Sequence, residues 1–412
     1  MHKTLITILG KGRGNAEVGY DPTTYVLEGK TELATTYIGL ALAEHLKPDT
    51  LILLGTAGSM WDVFSDKHVE HLKDQENLRL ELMSAREGNR VTQDLLDQIT
   101  PFLQRSLPYK NIILRIIPSG IDDEEQIGIL QTIAHTLDLD TQRTDLHIDV
   151  THGFRHLAII GFLSAALLED LRPQLKIAAL WYGALEMSQN NRTQVIRLDG
   201  LNTVRQWISA LDRFSASGDY GVFESLLIAD GLDKDIAHCL SEAAYYQNTN
   251  QTASAARSLQ TVSSALAHPL QGASSLFQAQ LKKHLNWINS DKLSHRQYRL
   301  AESALKRRDY LRTCILGLEA LITHYCLETQ RDANNPKLRE EACEEIKNTE
   351  NELSKRNWPK DDYITLNTLR NSMAHGSKPS YKKAEKILTN RKMLADGLKN
   401  ILENIKPYLE LQ

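Results

Sequence analysis

The stretch from Asp145 to Leu168 constrains the fold of this chain more than any other. Residues 146–150 alternate apolar and polar side chains, a break follows at residues 151–153, and residues 158–168 form a long apolar run. This pattern predicts a strand, a tight turn and a helix. The amino terminus of such a helix presents unpaired backbone N–H groups and a partial positive charge. The turn therefore predicts a binding site for an anion such as a phosphate group.

The side chains of this turn suit that reading. Thr151 supplies a hydroxyl, Gly153 lets a ligand approach the backbone closely, and Arg155 carries a planar fork of donors. The alternative is that Thr151 only caps the helix and that His152 and Arg155 are solvated. His152 and His156 are four residues apart, a spacing that can hold a metal ion, but no third ligand is near. We therefore predict no metal site.

Strand and helix signals alternate through the first half of the chain. Repeated strand-helix units predict a parallel sheet covered by helices on both faces, which is a Rossmann-like α/β fold. The predicted strands are residues 4–9, 50–54, 112–117, 146–150, 177–182 and 194–198, and the predicted helices are 32–46, 93–103, 124–137 and 158–168.

The loops after these strands share one chemistry. Because the carboxyl ends of parallel strands meet at one edge of a sheet, we expect the loops to gather there, where such sheets bind ligands. Small residues, hydroxyls and cations suit a phosphorylated ligand held by backbone N–H groups. The residues concerned are Gly10, Lys11, Gly12, Arg13, Thr56, Gly58, Ser59, Ser119, Gly120, Thr151, His152 and Gly153.

The main alternative ligand for such a sheet edge is a nicotinamide dinucleotide cofactor. The first loop, however, has Asn15 where the dinucleotide fingerprint needs its third glycine, and no acidic residue ends the second strand to hold a ribose. We therefore predict that the chain binds no dinucleotide cofactor.

Strand signals stop after residue 201, and the rest of the chain predicts an all-α half. With 412 residues, 42% of them hydrophobic, the chain can form two to three domains. The net charge of −4 gives no overall attraction to nucleic acid, so such binding requires local basic patches. Four cysteines without C-x-x-C spacing, no signal peptide and no membrane-spanning run predict a cytoplasmic protein.

One group in the second half suits phosphodiester chemistry. Arg370, Asn371 and His375 precede Gly376, where a helix is expected to end. Positions 370 and 375 differ by about 140° on a helix, but the helix end can turn His375 toward Arg370. Histidine transfers protons near neutral pH, and arginine can neutralise a pentavalent phosphate. The alternative is a carboxyl-terminal histidine and a surface arginine on an ordinary helix, with Glu319 pairing with Arg370 or with another cation.

Taken together, the two halves resemble the CRISPR-associated ribonucleases of type III systems. In the first half, the resemblance to their CARF domain lies in loops 10–12 and 55–61, turn 149–155 and segment 181–186. In the second half, Arg370, Asn371 and His375 resemble the catalytic motif of their HEPN domain. The resemblance covers essentially the whole chain. It implies a CARF-like domain over residues 1–200, a helical connector over 201–291 and a HEPN-like nuclease domain over 292–412.

The resemblance implies a nuclease that is switched on by a cyclic oligoadenylate, for which we expect cyclic tetra-adenylate. Two CARF domains of a homodimer, or of a higher even-numbered oligomer, would bind one ring across their two-fold axis. The expected ring-binding residues are those of the strand-end loops together with Phe154 and Arg155: Gly10, Lys11, Gly12, Arg13, Thr56, Gly58, Ser59, Ser119, Gly120, Thr151, His152, Gly153, Phe154 and Arg155.

For the second half, the resemblance implies metal-independent, cofactor-free cleavage of single-stranded RNA. The 2′-hydroxyl would attack the neighbouring phosphorus and leave a 2′,3′-cyclic phosphate. His375 would move the proton, Arg370 would stabilise the charged transition state, and Asn371 would orient them or the phosphate. Three following lysines could hold RNA or lie on a solvated helical face: Lys378, Lys382 and Lys383.

Two other functions fit the same resemblance. In the first, the CARF domain is a ring nuclease that destroys its own ligand. In the second, the chain is a ligand-gated regulator that binds DNA or a partner without cutting, although the second half shows no clear helix-turn-helix pattern. An RNase assay and a ring-degradation assay separate these alternatives.

Overall fold

The computed structural model of the chain describes residues 2–12, 20–64, 75–137, 143–348 and 358–411. The chain folds into two compact units, Met1–Asn202 and Thr203–Gln412. The first unit is α/β and the second is all-α, as predicted. One cluster of buried apolar side chains extends through the second unit from Trp207 to Leu409. The division of the chain at residues 200 and 291 stays a prediction.

A single sheet of eight strands forms the centre of the first unit within the described residues. The strands are β1 (His2–Leu9), β2 (Thr23–Leu27), β3 (Thr31–Thr35), β4 (Thr50–Gly55), β5 (Asn111–Ile116), β6 (Thr144–Asp149), β7 (Leu175–Gly183) and β8 (Arg192–Arg197). Their order in the sheet is β3-β2-β8-β7-β6-β1-β4-β5.

The sheet is mostly parallel, which confirms the predicted fold class. The run β7-β6-β1-β4-β5 is parallel throughout, and β2 pairs with β8 in parallel. Two pairs, β2 with β3 and β7 with β8, are antiparallel. The predicted helix over residues 32–46 is wrong in its first part, because residues up to Thr35 belong to β3. A tight turn with positive φ at Glu28 and Gly29 folds β3 back on β2.

The two faces of the sheet are covered by different sets of apolar side chains. Along β1, Leu5 and Leu9 belong to one core cluster, whereas Ile6 and Ile8 belong to the other. This separation follows from the two-residue period of a strand, whose successive side chains point to opposite faces. Because both faces are buried, β4 is continuously apolar from Leu51 to Leu54, which is why it could be found in the sequence.

The helices are numbered in chain order over the described residues. The first unit has α1 (Ile38–Leu46), α2 (Glu76–Glu87), α3 (Gln93–Ser106), α4 (Asp123–Thr136) and α5 (Arg155–Leu171). There follow α6 (Asp199–Ser217), α7 (Glu224–Ala229), α8 (Lys234–Asn248), α9 (Thr252–Ala265), α10 (Ser274–Leu285), α11 (Leu293–Lys306), α12 (Tyr310–Glu328), α13 (Pro336–Asn348), α14 (Lys360–His375), α15 (Lys382–Ile387) and α16 (Arg391–Ile405).

Helix α12 is the centre of the carboxyl-terminal part of the second unit. Twelve of its residues are buried, and it packs against α11, α13, α14 and α16. This arrangement holds α14, which carries Arg370 and His375, against the core by its Leu366 and Leu369. Among the described helices, none combines the length and hydropathy that crossing a bilayer requires.

Candidate functional site

A cavity of about 890 Å³ opens at the carboxyl edge of strands β1, β6 and β7. It is formed by the loops that follow these strands and by the segment that leads into β2. The wall residues include seven of the predicted ligand residues: Gly10, Lys11, Thr151, His152, Gly153, Phe154 and Arg155.

A buried carboxylate organises the turn after β6. Asp149 is fully buried and accepts hydrogen bonds from the Thr151 N–H (2.9 Å), the Thr151 hydroxyl (2.5 Å) and the Thr7 hydroxyl (2.5 Å). The Thr151 hydroxyl also accepts from the Gly183 N–H at 2.8 Å. Thr151 therefore joins β6 to β7 and does not cap α5, whose N-cap is Phe154 without a side-chain hydrogen bond.

Backbone atoms meet closely at the base of the cavity. Gly153 has φ of +93°, a conformation that favours glycine, and a Cβ on Gly10 would lie 2.6 Å from the Gly153 nitrogen. The Tyr20 hydroxyl accepts from the Gly10 N–H at 2.8 Å and donates to the Gly10 carbonyl at 2.9 Å. Glycine at both positions therefore lets the loop after β1 and the loop after β6 come together.

His152 packs against two aromatic rings at the cavity wall. Its ring centroid is 4.3 Å from that of Tyr20 and 5.5 Å from that of Tyr37. Burial lowers the pKa of His152 to about 4, so the ring is neutral at pH 7. Its Nε2 atom has no hydrogen-bond partner among the described residues. His152 can thus offer a ring face and one hydrogen bond to a ligand, but no positive charge.

The positive charge of the cavity comes from two exposed side chains. Lys11 and Arg155 line the wall, and neither forms an ion pair within the part of the chain that the structure describes. The wall also contains Glu186, whose carboxylate accepts a hydrogen bond from the Tyr182 hydroxyl at 3.0 Å. Burial raises the pKa of Asp149 to about 6, and that carboxyl is shielded from a ligand by its three donors. The accessible charge therefore suits an anionic group near Lys11 and Arg155.

The structure places the remaining predicted ligand residues away from this wall. Thr56 and Ser59 are buried and bonded to each other, with the Ser59 hydroxyl also donating to the Leu9 carbonyl at 2.8 Å. Gly58 lies beside Lys11, since a Cβ there would be 2.8 Å from its Cε atom. Gly12 is described but is absent from the cavity wall, and Arg13 lies outside the described residues.

The loop after β5 is occupied by its own neighbours. The Ser119 carbonyl is 2.7 Å from Nε2 of His156, and the Gly120 N–H donates to Glu125 at 2.7 Å. His156 therefore contacts Ser119 and does not pair with His152. No group of three or more His, Cys, Asp or Glu side chains among the described residues is arranged to hold a metal ion. The binding role of every predicted ligand residue stays a prediction.

Sequence reasoning missed the aromatic part of the site. For Asp149 the sequence does hold a signal, because a carboxylate at the end of an apolar strand is an unusual place for a charge. Tyr20 and Tyr37 gave no such signal, because neither lies in a periodic segment that points toward the turn after β6.

The second predicted site lies at the end of α14. The helix ends at His375, and Gly376 has φ of +63° and donates its N–H to the Ser372 carbonyl, as expected for a helix terminus. Asn371 and His375 are exposed and four residues apart, so they share one face of the helix. Both side chains are open to a substrate or a partner.

Arg370 is half-buried on another face of α14. Its Nη2 atom donates to the Asn367 side chain at 3.1 Å, and its Nε atom is buried without a partner among the described residues. Glu319 does not pair with Arg370. It binds Arg339 at 2.5 Å, so Glu319 pairs with another cation, which was the second possibility left open by the sequence.

Two of the three lysines after His375 are held in ion pairs. Lys378 binds Glu385 at 2.8 Å, and Lys383 binds Asp362 at 2.8 Å and also contacts Asp361. Lys382 is exposed and forms no ion pair within the described residues. This neighbourhood therefore carries less available positive charge than the sequence suggests.

Comparisons with known proteins give the following relationships. Residues 4–183 match the family described as CRISPR system endoribonuclease Csx1, CARF domain. The chain is 24% identical over 269 residues to CRISPR-associated protein MJ1674 of Methanocaldococcus jannaschii. The match covers 61% of this chain and 42% of that protein, so the chain spans less than half the length of this relative.

Among solved structures, the chain is similar to Enterococcus italicus Csm6 bound to cyclic hexa-2′-fluoro-hexa-dAMP. The likeness covers 99% of this chain and 97% of that one, with a TM-score of 0.41 and 13% sequence identity. A TM-score and an identity this low transfer neither ligand nor activity to this chain.

Proposed function

We propose that this chain, whose residues 4–183 match the Csx1 CARF domain, is a CARF-containing, cyclic-oligoadenylate-activated endoribonuclease of CRISPR type III defence. The observation that carries the proposal is the strand-end cavity of this domain, which exposes Lys11 and Arg155 without ion-pair partners in the described residues. Phosphodiester groups are the ligands that such cations favour, and His152 offers a neutral ring for stacking on adenine.

Symmetry supports a ring as the ligand. A cyclic tetra-adenylate presents the same nucleotide to each of two copies related by a two-fold axis, so one ring can occupy the cavities of both. We therefore propose a homodimer, or a higher even-numbered oligomer, as the active species. The predicted ring contacts fall on Lys11, His152 and Arg155.

For the nuclease, the proposed reaction uses the RNA itself as the nucleophile. The 2′-oxygen attacks the adjacent phosphorus, the 5′-oxygen leaves, and the products carry 2′,3′-cyclic phosphate and 5′-hydroxyl ends. His375 would transfer the proton, Arg370 would neutralise the pentavalent phosphate, and Asn371 would orient the phosphate from the same helix face as His375. This chemistry requires no metal ion. Exposure of His375 and Asn371 at the end of α14 supports the assignment.

The test is cleavage of labelled single-stranded RNA in the presence of cyclic tetra-adenylate. We expect His375→Ala and Arg370→Ala to lower the cleavage rate at least about 100-fold, because each removes a group that acts in the transition state. His268→Ala and Arg257→Ala, which change exposed residues of the same unit, are the matched controls and should cleave like the wild type. Unchanged cleavage by His375→Ala would remove the site assignment. No cleavage by the wild type would favour the regulator.

One observation favours a second activity in the cavity. The Nε2 atom of His152 has no hydrogen-bond partner among the described residues, so it can accept a hydrogen bond from a ribose hydroxyl of the ring and orient that hydroxyl toward the neighbouring phosphorus. Incubation of the protein with labelled cyclic tetra-adenylate tests for this ring nuclease. Linear products that disappear in His152→Phe would support it, and an intact ring would exclude it.

A further inference from the structure

A second groove, of about 610 Å³, lies in the carboxyl-terminal unit and contains none of the residues discussed so far. It is bounded by the end of α11, the start of α12 and one side of α16 from Arg391 to Glu403. Its floor includes Leu305, Leu402 and the half-buried ring of Tyr310. A groove of this volume is in the range that binds small ligands or a short segment of a polymer.

The rim of this groove is rich in available cations. Three acidic residues, Glu302, Asp396 and Glu403, also line it, but Glu302 is already paired with Arg299 at 3.1 Å. No ion pair or hydrogen bond engages the side chain of any rim cation within the described part of the chain, in contrast to Lys378 and Lys383 near His375. The rim cations are Lys306, Arg308, Arg391, Lys392 and Lys399.

Two of these cations lie where a helix disfavours them. Arg391 and Lys392 open α16, and the first turn of this helix contains no acidic residue. The amino terminus of a helix carries a partial positive charge and unpaired N–H groups, so cations there repel it. Asn390 satisfies one N–H through its side chain, which leaves the electrostatic conflict in place. An anion in the groove would relieve this repulsion and contact the cations at the same time.

We infer that this groove binds the sugar-phosphate backbone of single-stranded RNA. It would be a substrate-binding site separate from the catalytic residues. The inference rests on the proposed nuclease function. Cations along a rim, an apolar floor and an aromatic ring are the combination that binds unpaired nucleotides, because phosphates meet the cations and a base stacks on the ring. Tyr310 is the stacking residue in this arrangement.

The experiment measures binding without cleavage. A fluorescent single-stranded RNA with 2′-O-methyl groups at every position has no 2′-hydroxyl nucleophile, so its anisotropy reports affinity alone. The full chain and the double variant Arg391→Glu/Lys392→Glu are titrated with and without cyclic tetra-adenylate, at several salt concentrations. The matched control is Lys282→Glu/Lys283→Glu, which makes the same charge change on exposed residues of α10.

We expect the groove variant to bind RNA at least about tenfold more weakly, and the control to bind within about twofold of the wild type. The slope of log affinity against log salt should fall by about 1.4 in the groove variant, since each lost phosphate contact on a single strand removes about 0.7. Glutamate at a helix amino terminus is favourable, so the melting temperature of the groove variant should be unchanged or raised. Arg391→Gln/Lys392→Gln gives a second, neutral variant, which should also bind more weakly.

Equal RNA binding by the groove variants and the wild type would overturn the inference, and so would a wild type that binds no RNA in either condition. A change in sedimentation mass with unchanged RNA binding would also overturn it and would identify the groove as a protein interface. The proposed nuclease function is judged separately, by cleavage of unmodified RNA and its loss in His375→Ala. Failure of one proposal is therefore distinguishable from failure of the other.

Discussion

At the residue level, burial shifts the pKa values of His152 and Asp149, which lie three residues apart, in opposite directions. Burial lowers the pKa of His152 to about 4 and raises the pKa of Asp149 to about 6. Burial disfavours the charged form of each group, which explains both directions. At pH 7 the turn therefore offers a neutral imidazole to the cavity, and the positive charge there comes from Lys11 and Arg155.

The neutral imidazole predicts a pH dependence of stability. Because the folded pKa of His152 lies below the ordinary value of 6.5, the unfolded chain binds more protons between about pH 4 and 6.5. The contribution of His152 to stability is therefore complete above that window and is lost as the pH falls through it. At pH 5 the loss is about 2 kcal/mol.

His152→Phe keeps an aromatic ring against Tyr20 and Tyr37 but cannot be protonated. We expect the wild type to lose about 2 kcal/mol more than this variant when the pH is changed from 8 to 5, as measured by urea unfolding. His147, whose pKa is also lowered to about 4, and Asp149 are present in both proteins and cancel in the comparison. The control His268→Phe, at an exposed position, should follow the wild type. Parallel pH curves for the wild type and His152→Phe would contradict the account.

The sequence was informative where a residue follows a regular element. Gly153 and Arg155 were predicted because a periodic strand ends just before them and a helix begins after them, and the structure places both in the cavity wall. Thr56 and Ser59 follow a strand equally well, but short hydroxyl side chains can turn inward and bond each other, as they do here. Strand-end position alone does not distinguish these outcomes.

At the level of elements, helix α5 carries an exposed row of apolar side chains, which we call the ridge. Ile159, Leu163, Leu167 and Leu171 are spaced four residues apart and are 62%, 57%, 40% and 66% exposed, respectively. Residues four apart lie on one side of a helix, so these side chains form a continuous surface. Arg155, four residues before Ile159 on the same side of the helix, lines the cavity. A ring shared by two copies requires the second copy beside the cavity, so we expect this ridge to contact the same ridge of a second copy.

Leu163→Glu/Leu167→Glu tests that contact. In a two-fold interface each substitution occurs twice, so we expect the dissociation constant of the dimer to rise at least about 100-fold. Sedimentation velocity at matched concentrations measures the change. Leu276→Glu, at a 72% exposed position on α10, is the control and should remain dimeric. A wild type that sediments as a monomer, or a double variant that remains a dimer, would contradict the expectation.

The elements that could be predicted are those marked by a long apolar run or by a strict alternation of apolar and polar residues. Strands β1, β4 and β6 and helix α5 all lie close to their predicted bounds, because long apolar runs or strict alternation mark them. The hairpin of β2 and β3 was missed. Its second strand, Thr31–Thr35, is half-exposed and contains Glu32 and Leu33, which read equally well as the start of an amphipathic helix.

At the level of the whole molecule, one chain combines a unit that matches the Csx1 CARF domain over residues 4–183 with a helical unit that bears Arg370, Asn371 and His375. The central claim is that a cyclic oligoadenylate bound in the first unit raises RNA cleavage by the second. Thermodynamic coupling requires that the ring favour the active state of the chain over its resting state. Weakening ring binding should then shift the ring concentration that is needed, while leaving the fully activated rate unchanged.

The most direct measurement is the RNA cleavage rate as a function of cyclic tetra-adenylate concentration, for the wild type, Arg155→Ala and the exposed control Arg105→Ala. We predict slow cleavage without the ring and a rise to a plateau with it. The half-maximal concentration should be at least about tenfold higher for Arg155→Ala, since one charge-assisted hydrogen bond contributes about 1.5–3 kcal/mol, and the plateau should be the same. A wild-type rate that does not respond to the ring, or equal half-maximal concentrations for the wild type and Arg155→Ala, would contradict the claim.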